Sequence, residues 1–289
     1  MKNCFDSIIV IGSGSTAKKC SSYLLDKGIR LVFIESYASV FKCLSSPIKS
    51  ELVQLRTIDE FSDIDNAVFN LKKGNTLVLS INNKHIFKKC LNQSDITIIN
   101  FHYGYLPDYK GLNIPSWLIY NKEAFAGVTW HFVNEKIDDG KIIIQDKFRI
   151  KDGATAFDVN KEQNLLGFEL FKRFILKYLE YPEQYKNQKE SIENGKKLSR
   201  YFAKGVLPDD GFLKLDNSKE KIDRVLRAFD YKCSQLNLPL KVVFDNRIYN
   251  VDSYNICQTT NSDKSYLEDG ILYLIKEGTQ FEIKISLCQ

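Results

Sequence analysis

Three side chains with the means to do chemistry follow apolar runs of this chain. Asn100 and His102 come after Ile96–Ile99, a short β-branched run that predicts a buried strand, and Asp138 comes two residues before Gly140. An asparagine amide can donate to a developing oxyanion, a histidine can take a proton near neutral pH, and an aspartate can orient that histidine. The motif contains no paired serine, cysteine or lysine nucleophile. It therefore favours direct attack by an outside amine on an activated carbonyl, without a covalent enzyme intermediate.

The elements that must position these side chains are those of an α/β sheet. A loop with Pro107 and Gly111 follows the Asn100 strand, and a central strand would not tolerate that proline. Because ligands bind at the carboxyl ends of parallel strands, Asn100 and His102 stand where a site is expected. We predict a Rossmann-like, mostly parallel sheet with strands and helices at Ser7–Ile11, Ala17–Leu25, Leu31–Ile34, Asp65–Lys72, Thr76–Leu79 and Ile86–Leu91.

The second half of the chain changes character. Helical spacing of apolar residues predicts helices over Ile114–Asn121, Ala154–Leu179 and Lys221–Phe229, and the charged stretch from Glu183 to Lys197 predicts a linker. Short alternating strands follow at Lys241–Phe244, Arg247–Val251, Ile271–Ile275 and Phe281–Ile285. They indicate a smaller β-rich, barrel-like domain. The sequence thus predicts an N-terminal catalytic domain over residues 1–185 and a β-rich C-terminal domain over residues 200–289.

The residues around Asn100 resemble a known family, the formyltransferases that use 10-formyltetrahydrofolate. Its pattern is Asn-x-His-x-x-x-Leu-Pro, a basic-Gly turn and Asp-x-Gly. The matching residues are Asn100, His102, Leu106-Pro107, Lys110-Gly111 and Asp138-Asp139-Gly140. The resemblance is strong from about residue 76 to residue 150 and weaker over most of the rest. It implies an amine N-formyltransferase with the catalytic residues Asn100, His102 and Asp138.

The resemblance also implies binding residues. Ile81, Asn82, Ile86 and Asp138 are predicted to line the pocket of the cosubstrate, 10-formyltetrahydrofolate. The acceptor substrate is predicted to contact Gly12, Ser13, Lys110, Gly111 and Asn113. No set of His, Cys and Asp residues has metal-ligand spacing, so no metal is expected. His85 is predicted to be a surface or capping residue, and His131, within the alternating strand Val128–Val133, a structural or pocket-lining one.

The turn Gly12-Ser13-Gly14-Ser15-Thr16 has two interpretations. It can be a first strand-to-helix turn with a serine or threonine cap, or it can hold a phosphate of the acceptor at the start of the helix. No third glycine completes a dinucleotide fingerprint, and Lys18 and Lys19 follow the turn, so a nicotinamide role is not favoured. Similar Gly-Ser turns serve the phosphate of the acceptor in the glycinamide ribonucleotide relatives.

The residues after Lys110 bear on the identity of the acceptor. Methionyl-tRNA formyltransferases usually have Gly-Ala-Ala-Pro where this chain has Gly111-Leu112-Asn113, a form more like that of the sugar-type relatives. The first hypothesis is a nucleotide-linked amino sugar, dTDP- or UDP-linked, of surface-polysaccharide synthesis such as that of lipopolysaccharide. The alternative is methionyl-tRNA. A formyltetrahydrofolate hydrolase and a non-catalytic folate-binding module are further alternatives.

Composition sets outer limits on these hypotheses. With 289 residues, 44% hydrophobic and 27% charged, the chain is expected to be a soluble globular protein with room for one large and one smaller domain. Its formal net charge of +5 suits small anionic ligands and is too mild to indicate a large nucleic-acid partner, so none is expected unless tRNA is the acceptor. Seven scattered cysteines imply neither a disulfide framework nor a zinc site. A cytoplasmic protein without a membrane partner, able to form a homodimer, is expected.

Overall fold

A computed structural model of the chain describes residues 3–36, 53–83, 85–186, 199–232 and 238–288. The chain divides into two compact units. The first comprises residues 1–111, 126–148 and 161–202, and the second comprises residues 112–125, 149–160 and 203–289. The second unit thus takes in two segments, 112–125 and 149–160, that the sequence alone assigns to the first. That residues 1–185 and 200–289 form two separate domains stays a prediction.

The first unit is built on a seven-stranded sheet. The strand order is β3-β2-β1-β4-β5-β7-β8; β1 to β5 pair in parallel, and β7 runs antiparallel to β5. This confirms the predicted mostly parallel α/β fold. The strands are β1 (Ser7–Gly12), β2 (Leu31–Glu35), β3 (Val53–Thr57), β4 (Thr76–Ile81), β5 (Ile96–His102), β7 (Phe125–Phe132) and β8 (Ile142–Arg149), while β6 (Lys110–Gly111) pairs separately with β9 (Tyr201–Phe202).

Apolar side chains cover both faces of this sheet. In β1, Ile8 and Val10 join one buried cluster, while Ile9 and Ile11 join another on the opposite face. Helices α1 (Gly14–Asp26) and α4 (Ala156–Glu180) contribute to the first cluster, and α2 (Ile64–Leu71) contributes to the second. Strands buried on both faces read as continuous apolar runs, which is why β1, β4 and β5 are legible in the sequence.

The predicted helices agree with the structure except at one place. Residues 86–91 do not form the predicted helix: only a 3₁₀ turn, Lys89–Asn92, is present. The short helix α5 (Glu183–Lys186) opens the predicted linker, whose residues 187–198 lie outside the described part. Helix α4 begins at Ala156 because Thr155 and Asp158 cap it reciprocally: the Asp158 N–H donates to Thr155 Oγ1 and the Thr155 N–H donates to Asp158 Oδ2.

The carboxylate of Asp65 fixes the backbone of residues 88–90, where the predicted helix does not form. Asp65 is 5% exposed and accepts backbone N–H groups of Lys88, Lys89 and Cys90 at 3.2, 2.9 and 3.1 Å. Burial of the carboxyl raises its pKa, but these donors outweigh it, so the pKa of Asp65 lies below its ordinary value. The charged carboxylate is therefore a structural cap for the 3₁₀ turn.

Replacing Asp65 with alanine is expected to lower the free energy of unfolding by about 1–3 kcal/mol, because it leaves buried N–H groups without an acceptor. The pKa of Asp65 is lower in the folded protein than in the unfolded chain. The stabilisation is therefore present at pH values above the unfolded-state pKa of Asp65, and it is lost as the pH falls through the folded-state pKa. Urea denaturation at several pH values measures both effects. Asp59→Ala, an exposed position, is the control; equal losses in the two variants would contradict the capping role.

The second unit is built on a six-stranded sheet in the order β10-β11-β12-β15-β14-β13. Its strands are β10 (Phe212–Leu213), β11 (Lys241–Phe244), β12 (Arg247–Gln258), β13 (Lys264–Glu268), β14 (Ile271–Lys276) and β15 (Thr279–Leu287). A register shift between Val251 and Ser253 interrupts the pairing of the long strands β12 and β15. The curled half-barrel confirms the predicted β-rich, barrel-like part, and β10 and β13 are the strands of this sheet that the sequence did not predict.

Two helices of the second unit pack against each other. They are α3 (Ile114–Tyr120), with Pro115 in its first turn as predicted, and α6 (Lys219–Phe229), where Ser218 Oγ accepts the Lys221 N–H. Within the described residues, no helix has the length and apolarity that crossing a membrane requires.

Candidate active site

Strand register aligns three polar side chains in one row across the first unit's sheet. Ser80 of β4 is the parallel partner of Asn100 of β5, and Asn100 is the antiparallel partner of His131 of β7. Directly paired residues project from the same face of a sheet. The structure therefore brings Asn100 into contact with Ser80 and His131, two contacts that the sequence did not predict.

The hydrogen bonds along this row run in one direction. Asn83 Nδ2 donates to Ser80 Oγ at 3.3 Å, and that hydroxyl donates to Asn100 Oδ1 at 2.9 Å. Asn100 Nδ2 donates to His131 Nε2 at 3.1 Å, because His131 Nδ1–H is committed to the Phe132 carbonyl at 2.8 Å. The amide of Asn100 is thus fixed with its NH₂ group towards His131. One of its two N–H groups has no acceptor among the described residues and can donate to a ligand.

His102 is the last residue of β5 and is 5% exposed. Its Nε2 lies 2.7 Å from the carbonyl oxygen of Tyr109, an acceptor only, so Nε2 carries a proton. Its Nδ1 lies 3.4 Å from Asp138 Oδ2. Gly104 makes this geometry possible, since a Cβ there would lie 2.5 Å from His102 Nε2 and 2.4 Å from the Tyr109 oxygen. Nδ1 is therefore the nitrogen at which His102 can gain a proton.

Asp138 holds a charged carboxylate beside both histidines. Its Oδ2 accepts the Gly111 N–H at 2.8 Å, and its Oδ1 lies 3.6 Å from His131 Nε2. Desolvation raises the pKa of Asp138, but His102, His131 and the Gly111 N–H lower it more, to about 2. Desolvation also lowers the pKa of His102, against the opposing pull of Asp138. Near neutral pH the pair therefore holds an ionised Asp138 and a neutral His102 that can act as a base.

The predicted residues Lys110 and Gly111 form the short strand β6. Lys110 Nζ pairs with Asp139 Oδ1, and the Gly111 N–H serves Asp138. A side chain at Gly111 would meet the Phe202 carbonyl at 2.1 Å, and the backbone φ of +96° also favours glycine. This segment therefore has a clear structural task, and its contact with an acceptor stays a prediction.

Four further predicted residues lie near the carboxyl ends of β1 and β4. Gly12 pairs with Ile81, and the Ser13 N–H donates to the Ile81 carbonyl at 3.2 Å. Asn82 Nδ2 donates to Ser13 Oγ at 3.0 Å. The Ser13 N–H is thus bonded within the protein, and the contact of Gly12 and Ser13 with the acceptor stays a prediction. Ile86 follows in the irregular segment with 62% of its surface exposed.

Asn113 belongs to the second unit, unlike the other predicted site residues. It stands at the N-cap position of α3 in the left-handed conformation, with φ at 58°, and its side chain makes no capping hydrogen bond. Its part in acceptor binding stays a prediction. In the described ranges, no group of three or more His, Cys, Asp and Glu residues could hold a metal ion.

Comparison with known proteins gives this geometry a context. Residues 56–174 match the family described as Formyl transferase. The GDP-perosamine N-formyltransferase of Brucella melitensis biotype 1 is 27% identical over 158 residues, which cover 55% of this chain and 56% of that protein. The methionyl-tRNA formyltransferase of Clostridium tetani is 29% identical over 136 residues, covering 45% and 44%. The chain aligns with about half the length of these curated relatives.

A solved structure resembles the chain over a greater length. The N-formyltransferase from Helicobacter canadensis, in complex with folinic acid and dTDP-3-aminofucose, superposes with a TM-score of 0.69, covering 97% of this chain and 99% of that one at 19% identity. At this identity the likeness establishes the fold. Asn100, His102 and Asp138 all lie inside residues 56–174, the part of the chain that matches the Formyl transferase family.

Proposed function

We propose that this chain is an N-formyltransferase that moves the formyl group of 10-formyltetrahydrofolate to the amino group of a nucleotide-linked amino sugar. The observation that carries the proposal is the arrangement of Asn100, His102 and Asp138. An oriented N–H donor, a neutral buried imidazole and an ionised carboxylate lie together where β5 ends. Formyl transfer to an amine requires a donor for the oxyanion and a base for the amine proton, and nothing more.

The residues near the site fit a folate. Asn100 keeps one N–H for a carbonyl oxygen, and the exposed side chain of Ile86 offers apolar surface to an aromatic ring. Asn82, four residues before Ile86 in the chain, has the left-handed conformation with φ at 53°. The structure of the relative from Helicobacter canadensis contains folinic acid, a formylated folate, which supports a folate cosubstrate here.

The reaction balances with this set of residues. The acceptor nitrogen forms a bond to the formyl carbon, the bond from that carbon to N10 of the folate breaks, and N10 gains the proton that the amine loses. Asn100 donates its second N–H to the oxygen that becomes negative. His102 takes the amine proton at Nδ1, Asp138 stabilises the imidazolium that results, and the imidazolium then passes this proton to N10. The Tyr109 carbonyl holds the ring in place through Nε2.

The amino-sugar acceptor is supported by the relatives, by the net charge and by the residues after Lys110. Curated relatives include a GDP-perosamine N-formyltransferase, and the superposed relative was solved with dTDP-3-aminofucose. The net charge of +5 and Gly111-Leu112-Asn113 also favour a small anionic acceptor. The second candidate is methionyl-tRNA, since the alignment with the enzyme of Clostridium tetani is of similar identity.

Formyl transfer to both acceptors under one set of conditions tests the proposal. We expect a mass gain of one formyl group on one member of a panel of nucleotide-linked amino sugars, and little formylation of methionyl-tRNA even at low salt. A tRNA acceptor makes many phosphate contacts, so its use would fall steeply as salt rises. Steeply salt-dependent formylation of methionyl-tRNA, with none on any sugar, would replace the first acceptor by the second.

A separate prediction concerns pH. Asp138 raises the pKa of His102 against desolvation, so Asp138→Asn is expected to lower that pKa further. The acid limb of the kcat/KM profile should move to lower pH, while kcat falls by about 100-fold or more because the imidazolium loses its counter-charge. A profile of kcat/KM against pH for both proteins measures this. An unchanged acid limb would remove His102 as the group that titrates.

A further inference from the structure

A cavity of about 640 Å³ lies within the second unit. Its walls come from α3 and the turn after it, from residues 149–153, from α6 and from the strands β12 and β15. None of the residues assigned above to the active site lines it. The proposed formyl transfer gives this cavity no task, so its chemistry can be considered independently.

The inner wall of the cavity is apolar. Leu118 and Ile119 of α3 are each 4% exposed, and Phe281 of β15 is fully buried. Ile256 of β12 lines the cavity as well and is half-buried. Such a wall favours a ligand with an aliphatic or aromatic part, because burying that part removes apolar surface from water.

Charged side chains line the rest of the cavity, five basic and four acidic. One pair is neutralised within α6: Arg227 donates to Asp223 Oδ2 through Nε at 2.8 Å and through Nη2 at 2.6 Å. Its Nη1 donates to the Ala154 carbonyl at 2.9 Å. Arg227 and Asp223 therefore satisfy each other. Two of the remaining acids, Asp152 and Glu220, are exposed, where water and salt screen their charge.

Arg224 is the unusual member of this lining. Its Nε is buried and has no hydrogen-bond partner in the part of the chain that the structure describes. The neighbouring carboxylate of Asp223 is taken by Arg227. Buried N–H groups without an acceptor are rare in folded proteins, and a guanidinium binds the oxygens of phosphates and carboxylates through two parallel N–H groups. Lys122 and Arg149 add positive charge to the same cavity.

We propose that this cavity binds a small organic anion, in which a phosphate or carboxylate group is joined to an apolar ring or chain. Arg224 binds the anionic group, and Leu118, Ile119 and Phe281 contact the apolar part. The site is additional to the formyl-transfer site and does not depend on the proposed function, because the two share no residue.

Calorimetric titration of the 289-residue chain, without folate or acceptor, tests the proposal. Phenyl phosphate and benzoate carry the two anionic groups on the same ring, inorganic phosphate lacks the ring, and benzyl alcohol lacks the charge. We expect saturable binding of one or both aromatic anions, weaker binding of inorganic phosphate and none of benzyl alcohol. The stronger of the two anions identifies the head group. Absence of saturable binding by both aromatic anions would overturn the proposal.

Matched variants locate the site. Arg224→Gln is expected to weaken binding about 10-fold or more, Arg224→Lys to retain part of it, and Ile256→Ser to weaken it through the apolar wall. Arg247→Gln is the control, since Arg247 is exposed, lies in the same unit and does not line the cavity. Melting temperatures in the absence of ligand confirm that each variant folds. Equal weakening by Arg224→Gln and Arg247→Gln would show a general effect of charge and overturn the assignment.

Discussion

Replacing His102 with alanine is expected to lower the rate of formyl transfer by about 10²–10⁴-fold, because the amine proton loses its acceptor. The loss should appear in kcat, since His102 is 5% exposed and its ring nitrogens face Tyr109 and Asp138. Single-turnover measurement with saturating folate separates this chemical step from binding.

The control for this variant is His85→Ala, which removes an exposed imidazole from the same unit. Its turnover should stay close to that of the unchanged protein. Both variants should keep the melting temperature within a few degrees, so that a folding defect is not mistaken for a catalytic one. Near-normal turnover of His102→Ala would remove His102 from the mechanism and leave formyl transfer without its base.

Replacing Asn100 with alanine is expected to reduce kcat by about 10²–10³-fold, the usual loss when one preorganised donor to an oxyanion is removed. The matched variant is Ser80→Ala, which leaves the Asn100 amide in place but removes the hydroxyl that orients its Oδ1. We expect a smaller loss for Ser80→Ala, because the bond to His131 still holds the amide. Comparing the two kcat values separates donation from orientation.

The comparison also has an outcome that contradicts the assignment. Equal losses in Asn100→Ala and Ser80→Ala, accompanied by equal falls in melting temperature, would mean that the row is needed only for packing. A loss confined to KM in Asn100→Ala would mean that the amide binds the ground state as strongly as the transition state. Either result would leave the developing oxyanion without its proposed donor.

Local sequence was sufficient for most of the fold. The apolar runs of β1, β4 and β5 and the helical spacing of α2 and α6 are properties of a few consecutive residues, and each predicted the element found there. The failure at residues 86–91 is physical: the Asp65 carboxylate binds the N–H groups of residues 88–90, and that contact spans 23 to 25 residues of sequence. β13, with mostly exposed residues, lacked an apolar signal.

Part of the active site could likewise be predicted from the local sequence, and part could not. Asn100, His102 and Asp138 were legible because their spacing resembles a family pattern, and the structure places His102 Nδ1 beside Asp138. The contacts of Ser80 and His131 with Asn100 could not be predicted from the sequence, because only the register of three strands places these residues next to one another. Register depends on pairing between strands that are distant in sequence, and periodicity within one strand carries no record of it. Ser80, a polar residue near the carboxyl end of β4, could be noticed in the sequence, but its pairing with Asn100 could not.

The one-way row from Asn83 through Ser80 and Asn100 to His131 has a consequence for timing. Turning the Asn100 amide over would set its oxygen against the lone pair of His131 Nε2 and leave the Ser80 hydroxyl without its acceptor. The polarity of the row is therefore set once, when β4, β5 and β7 pair, and not again at each turnover. A substrate that arrives meets a dipole already aligned, so little of the activation barrier needs to go into reorganising the protein around the new charge.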